Sequence, residues 1–238
     1  MKKLCLTLLA MAATAMVALP IAHADTFNWG TVNFTVWTGS GIPDTATLAV
    51  APASTPTATF TYSGPLDFVN NNLQAGSNTW EDFLTSDETN LGNLSDISSY
   101  SGETYSTFLA STMSTPGETD NSYVEITGTY NVGAGTYVTL SSDDGSSLYI
   151  NPSGSSSTAL ISMPGPQDLQ TENALLPSGS NSFTLVYDES NGAPADLQMS
   201  ATPEPSSLLL LGTGLLGLAF VAFRKAKASG VALSMYSV

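Results

Sequence analysis

Apolar and polar residues alternate in short runs through most of this chain. TVNFTVW at 31–37 sets Val32, Phe34 and Val36 against Thr31, Asn33 and Thr35. ATFTY at 58–62 places Phe60 opposite its threonines, and YVEITGTYN at 123–131 alternates more weakly. TYVTLS at 136–141 puts Val138 and Leu140 on one face. SFTLVYD at 182–188 puts Phe183, Leu185 and Tyr187 on one face and Thr184 and Val186 on the other. ADLQMS at 195–200 sets Leu197 and Met199 against Asp196 and Gln198. A period of two marks strands with one face buried, and the Gly, Asn, Pro and Asp clusters between them mark turns. NTWEDFL at 78–84 predicts a helical turn on the outside, and 41–57 reads as an exposed loop. From Thr85 to Asp120 the chain is polar and loop-like, with short elements around Tyr100 to Leu109. The fold class expected is all-β, an antiparallel β-sandwich or barrel over residues 25–202, long enough for a real core. Trp29, Trp37 and Trp80 are expected in that core rather than as platforms for sugar rings.

Both ends break the pattern. Lys2 and Lys3 precede an apolar run from Leu4 to about Leu19, followed by Ala22-His23-Ala24. Charge, apolar run and small residues in that order predict a secretory signal peptide, 1–24, cut after Ala24 by signal peptidase. Near the other end, residues 206–223 carry no charge. At about 1.5 Å per residue a helix there just spans a thin hydrocarbon core. Arg224, Lys225 and Lys227 follow as a stop-transfer cluster, which puts residues 228–238 in the cytoplasm and the domain outside.

The charges sharpen this organisation. All five Lys and Arg residues lie in the end segments, whereas all 20 acidic residues fall between Asp25 and Glu204, for a net charge of −15. The body is a polyanion with no internal Lys or Arg. Nucleic acid binding is excluded, because it needs Lys or Arg against phosphate. Adhesion of the body to anionic lipid is excluded for the same reason. The single Cys and the single His both lie within the signal peptide. The exported body therefore has no disulfide, no thiolate or imidazole catalysis and no cysteine–histidine zinc site. Divalent cations are the obvious compensators for such a charge, and acidic oxygen-rich loops suit calcium.

Pro203-Glu204-Pro205 stands directly before the short Gly/Leu-rich span and its basic cluster. This tripartite tail, 203–227, resembles the PEP-CTERM sorting segment of Gram-negative bacteria. The resemblance implies an integral-membrane exosortase as partner. It also implies an inner-membrane anchor before processing, then delivery to the cell envelope or to extracellular polysaccharide. The cluster is Arg-Lys-Ala-Lys rather than a run of arginines, and eleven residues follow it.

A second resemblance lies in the body. TGTYNVGAGTYVTLSSDDGSSLYI reads as strand, Gly turn, strand, SDDG turn, strand, and a Tyr187-x-Glu189 strand with a Gly turn comes later. That order is similar to the PA14 family of β-sandwich domains, with its yeast and bacterial adhesins. Asn151-Pro152 stand where the family has Asp-Gly. In the sugar-binding members the Asp-Asp pair is joined by a cis peptide bond and holds a calcium ion, which in turn holds sugar hydroxyls. The resemblance thus implies Asp143 and Asp144 as calcium ligands and the ligand-binding pair. Asp188, Glu189 and Asn191 are candidates for the rest of the shell, Asn191 being chemically closest. Asp-Asp-Gly is equally a good turn, with Gly145 supplying a permissive backbone.

Three functions follow: a calcium-dependent glycan-binding or adhesive module, a purely structural acidic matrix protein of biofilm exopolysaccharide, or a glycoside hydrolase. No residue pair marks catalysis, so a non-enzymatic protein is expected.

Overall fold

The computed structural model describes residues 29–70, 78–85, 94–115, 120–190, 192–203 and 207–228. The expected signal peptide with Ala22 and Ala24, and also Glu204, Pro205 and Asn191, lie outside the described residues.

Among the described residues, eleven strands form two antiparallel sheets. The first sheet has β1 (Val32–Gly39), β2 (Ala58–Tyr62), β4 (Ile97–Gly102), β5 (Asn121–Val132), β7 (Ser146–Ile150), β8 (Ile161–Met163) and β10 (Gly179–Glu189). Its order is β4-β2-β1-β5-β10-β7-β8. The second sheet has β3 (Asp67–Asn70), β6 (Thr136–Ser142), β9 (Gln170–Leu175) and β11 (Ala195–Pro203), in the order β3-β11-β6-β9. Every strand predicted by alternation is present. β3, β4, β8 and β9 are additional; β8 is only three residues long, and β9 is exposed along almost its whole length.

The inward faces are those that the alternation assigns. Val32, Phe34, Val36, Val138, Leu140, Phe183, Leu185 and Leu197 are buried in one core between the sheets. Phe34 stacks on Phe60 with ring centroids 4.7 Å apart, and Phe68 stacks on Phe83 at 5.0 Å. Trp29 and Trp80 are buried in that core as the sequence leads one to expect, whereas Trp37 is buried outside it, in a second cluster. Trp29 donates its ring N–H to the Met199 carbonyl at 3.0 Å.

Two expectations are corrected. The helix α1 (Trp80–Thr85) forms as predicted, capped by the Thr79 hydroxyl on the Asp82 amide at 3.2 Å. It is not on the outside, because Trp80, Phe83 and Leu84 plug the core. The short helix α2 (Tyr105–Ala110) packs beside it through Phe108, whose ring stacks on Trp80 at 5.0 Å. The segment 41–57 is not simply exposed. Buried Ala46 and part-buried Ile42 and Leu48 cover a second cluster of Trp37, Tyr123, Tyr149 and Val186 on the outer face of the larger sheet. That cover explains why Val186 is buried on the face opposite the core.

The last helix, α3 (Ser207–Ala228), is 22 residues long. Among the described residues no helix is long and apolar enough to cross a membrane.

Candidate functional site

Three of the connections that cross between the two sheets in the second half of the chain lie close together. Residues 143–145 join β6 to β7, 164–169 join β8 to β9, and 190–194 join β10 to β11. The strand registers bring all three to one end of the sandwich: Ser142 pairs with Leu197 of β11 and Gln170 of β9, and Ser146 pairs with Tyr187 of β10 and Met163 of β8. β6 and β7 do not pair with each other, so Ser142-Asp143-Asp144-Gly145 is an arch between sheets rather than the hairpin turn that its sequence resembles.

Backbone hydrogen bonds tie the three crossings together. The Asp143 amide donates to the Asp196 carbonyl at 3.0 Å, and the Asp144 amide to the Gln167 carbonyl at 2.9 Å. The Asp188 amide donates to the Gly145 carbonyl at 3.0 Å. The Ser190 amide donates to Oδ2 of Asp144 at 2.8 Å, and the Ser142 and Ser146 hydroxyls share a hydrogen bond of 2.7 Å.

The backbone of the arch differs from the resemblance. The Asp143–Asp144 peptide is trans; the cis bond of the described residues is Ala193–Pro194. Asp144, not Gly145, takes the left-handed position, at φ +63°. Asp tolerates that region better than most residues. Gly145 is required for space instead. A Cβ built there would lie 1.9 Å from Oδ1 of Asp188 and 2.6 Å from the Pro164 carbonyl oxygen. Asn151, in place of the family's Asp-Gly, adopts φ +48° and so turns the chain with a residue type that accepts that conformation.

Carboxylates gather at this end without a side-chain cation in the body to match them. Asp143 is half-buried, and desolvation together with Asp144, Asp196 and Asp168 pushes its pKa up to about 7, against a lowering hydrogen bond from the Leu169 backbone. Asp144 is buried. Asp196 is buried and accepts the Asn70 amide at 3.1 Å. Glu189 is fully buried in a neutral network: Oε1 accepts from Ser114 at 2.8 Å and Asn78 at 3.1 Å, and Oε2 from the Tyr187 hydroxyl at 2.8 Å. Burial, then Asp144, raises the Glu189 pKa well above the usual carboxylate range despite those donors.

Of the sequence candidates, the fold thus brings Asp143, Asp144, Asp188 and Glu189 to one end. Glu189 is committed to Tyr187, Ser114 and Asn78 and is a structural pin. Sequence reasoning missed Asp196, which its alternation placed on a polar face, and the segment 164–169, which carries no strand pattern.

The donor chemistry fits a hard cation, since the groups at the arch are carboxylate and carbonyl oxygens with no competing ammonium or guanidinium. Among the described residues no group of three or more His, Cys, Asp or Glu side chains is placed to hold a metal. An ion at Asp143 and Asp144 therefore needs carbonyl, amide, water or ligand oxygens to complete its shell.

Residues 201–225 match the family model of the PEP-CTERM protein-sorting motif. The chain carries that motif, which implies export to the envelope or beyond it and processing by an exosortase. No curated protein matches the chain in sequence. Solved structures to which it is similar include PA14 domains. It is similar to the PA14 domain of the MpAFP antifreeze protein at 14% identity, over 80% of this chain and 90% of that one, with a TM-score of 0.48. It is similar to the PA14 sugar-binding domain from an RTX adhesin at 18% identity, over 73% and 89%, with a TM-score of 0.47. A third neighbour is the A domain of epithelial adhesin 9 from Candida glabrata, solved in complex with Galb1-4GlcNAc, at 10% identity over 74% and 83%, with a TM-score of 0.46.

Proposed function

We propose that this chain is a non-enzymatic surface module that binds calcium, and glycan through it, at the Asp143–Asp144 arch. The sorting tail delivers it: the signal peptide starts export, and the 206–223 helix anchors the chain in the inner membrane. Exosortase then releases the body to the envelope or its exopolysaccharide. The observation that carries the reading is the arch itself. Three inter-sheet crossings are laced together so that Asp143 stays half-exposed while facing Asp144, Asp196 and Asp168. No side chain of the body can neutralise that group, whereas a divalent ion removes the repulsion. Asp143 and Asp144 would hold the ion, Asn191 in the third crossing would add an amide oxygen, and vicinal hydroxyls of a sugar would fill the open positions. When bound, the ion supplies affinity for those hydroxyls.

One observation favours a second reading, a structural matrix protein without a specific ligand: Oδ2 of Asp144 already accepts a hydrogen bond from the Ser190 amide, so the arch is held in part without an ion. A thermal melt separates the two. The chain is melted in EDTA and in millimolar calcium, as wild type and as Asp143→Asn/Asp144→Asn. An ion at 100 times its Kd adds about 2.7 kcal/mol. A calcium-dependent rise in wild type that the double variant lacks supports the binding module and leads to a glycan array. Equal melts in all four conditions leave the structural reading.

A further inference from the structure

Asp188 stands apart from the pair just described. Its side chain leaves β10 on the same face as Val186, toward the cover formed by 41–57, whereas the Asp143 amide is tied to β11 in the smaller sheet. Asp188 is fully buried, and neither of its carboxylate oxygens has a hydrogen-bond partner. The nearby Ala46 amide is spent on the Pro164 carbonyl at 2.8 Å. The buried Ser190 hydroxyl and the Ala46 amide lie beside the carboxylate and partly offset its charge, but neither makes a hydrogen bond of full geometry to it. Asp144 and the exposed Asp44 add further negative charge; burial foremost, then these two, pushes the Asp188 pKa up to about 8 against the lowering contacts of Ser190 and Ala46.

The oxygens converge. Oδ1 of Asp188 and the Pro164 carbonyl oxygen both crowd the point where a Gly145 side chain would be, so they lie at most about 4.5 Å apart. Two oxygens that share a calcium ion at about 2.3–2.6 Å each lie within about 5 Å of one another. A buried carboxyl without a basic partner either keeps its proton or exchanges it for a cation. No Lys or Arg lies between residues 4 and 223. We propose that Asp188, the Pro164 carbonyl and the Ser190 hydroxyl form a second cation position, distinct from Asp143–Asp144, for a hard divalent ion such as calcium, with Asp44 at its approach. An ion there fastens the 41–57 cover and the 164–169 crossing to the end of β10.

The test counts bound calcium per chain. Full-length protein in detergent is stripped with EDTA, dialysed against a calcium series, and analysed by atomic emission. Wild type is expected to bind two ions, Asp188→Asn one fewer, and Asp143→Asn/Asp144→Asn to keep the ion at Asp188. Loss in the double variant reports on the proposed function, and loss in Asp188→Asn reports on this position, so each can fail alone. Asn matches Asp in size and removes the buried charge, so Asp188→Asn is expected to melt no lower than wild type in EDTA. Calcium uptake by Asp188→Asn equal to wild type overturns the proposal. The wild-type isotherm gives a readout that needs no variant: it must require two sites, and a one-site isotherm that vanishes in Asp143→Asn/Asp144→Asn overturns the proposal equally.

Discussion

Gly145→Ala isolates the tightest packing at the arch. The added methyl would lie 1.9 Å from Oδ1 of Asp188, 2.6 Å from the Pro164 carbonyl oxygen and 2.9 Å from its carbon. None of these can swing aside cheaply: Asp188 is fully buried, and the Pro164 carbonyl is held by the Ala46 amide. Overpacking a well-filled site costs about 1–3 kcal/mol, and contacts this short with backbone belong at the upper end. Because the glycine is not at positive φ, none of the cost comes from conformational strain. A loss of about 3 kcal/mol lowers Tm by roughly 6–12 °C in a domain of this size. Gly133→Ala is the control, since its methyl meets nothing within 4 Å. The assay is thermal unfolding by circular dichroism in EDTA for wild type, both single variants, Asp188→Ser and the Gly145→Ala/Asp188→Ser pair. Shortening Asp188 frees space, so the pair should lose less than the singles combined, the remainder being the clash with Pro164. A Gly145→Ala melt within about 2 °C of wild type refutes the packing argument, as does strict additivity with Asp188→Ser.

Two further outcomes follow from buried carboxylates. Asp188 has a pKa of about 8 in the fold, whereas an unfolded Asp titrates at about 3.9. The folded chain keeps a proton that the unfolded chain releases over that window, so in EDTA stability falls as pH rises from about 4 to about 8, by at most about 1.4 kcal/mol per pH unit for this group. Melting in EDTA at pH 5, 6, 7 and 8 checks this; a Tm that climbs steadily with pH contradicts it, and Asp188→Asn should flatten the profile. Glu189→Leu strands the Asn78, Ser114 and Tyr187 donors together. At about 1–3 kcal/mol for each buried donor left unmade, the variant should lose more than 3 kcal/mol in urea unfolding, whereas Glu189→Gln, which keeps an acceptor, should lose clearly less.

The strands that the sequence reveals are those with one face in the core. In β1, β6 and β10 every second side chain meets the opposite sheet, so burial writes itself into the residue pattern. β9 is exposed on both faces and β8 is too short to show a period, so their pairing is settled by neighbouring strands alone. Trp80, Phe83 and Leu84 belong to a six-residue helix in a polar stretch, too brief for a helical period to show which side is buried.

The site divides in the same way. The sequence already shows a polyanion without internal Lys or Arg, a sorting tail and an Asp-Asp-Gly turn motif, because charge and motif are local properties of the chain. Asp143 and Asp144 are legible for that reason. That Asp196, Gln167, Pro164 and Ser190 surround them, that Asp144 rather than Gly145 turns the backbone, and that Asp188 is sealed under 41–57 are decided only when the three crossings meet. Those contacts join residues far apart along the chain, and such separations leave no period or spacing in the sequence.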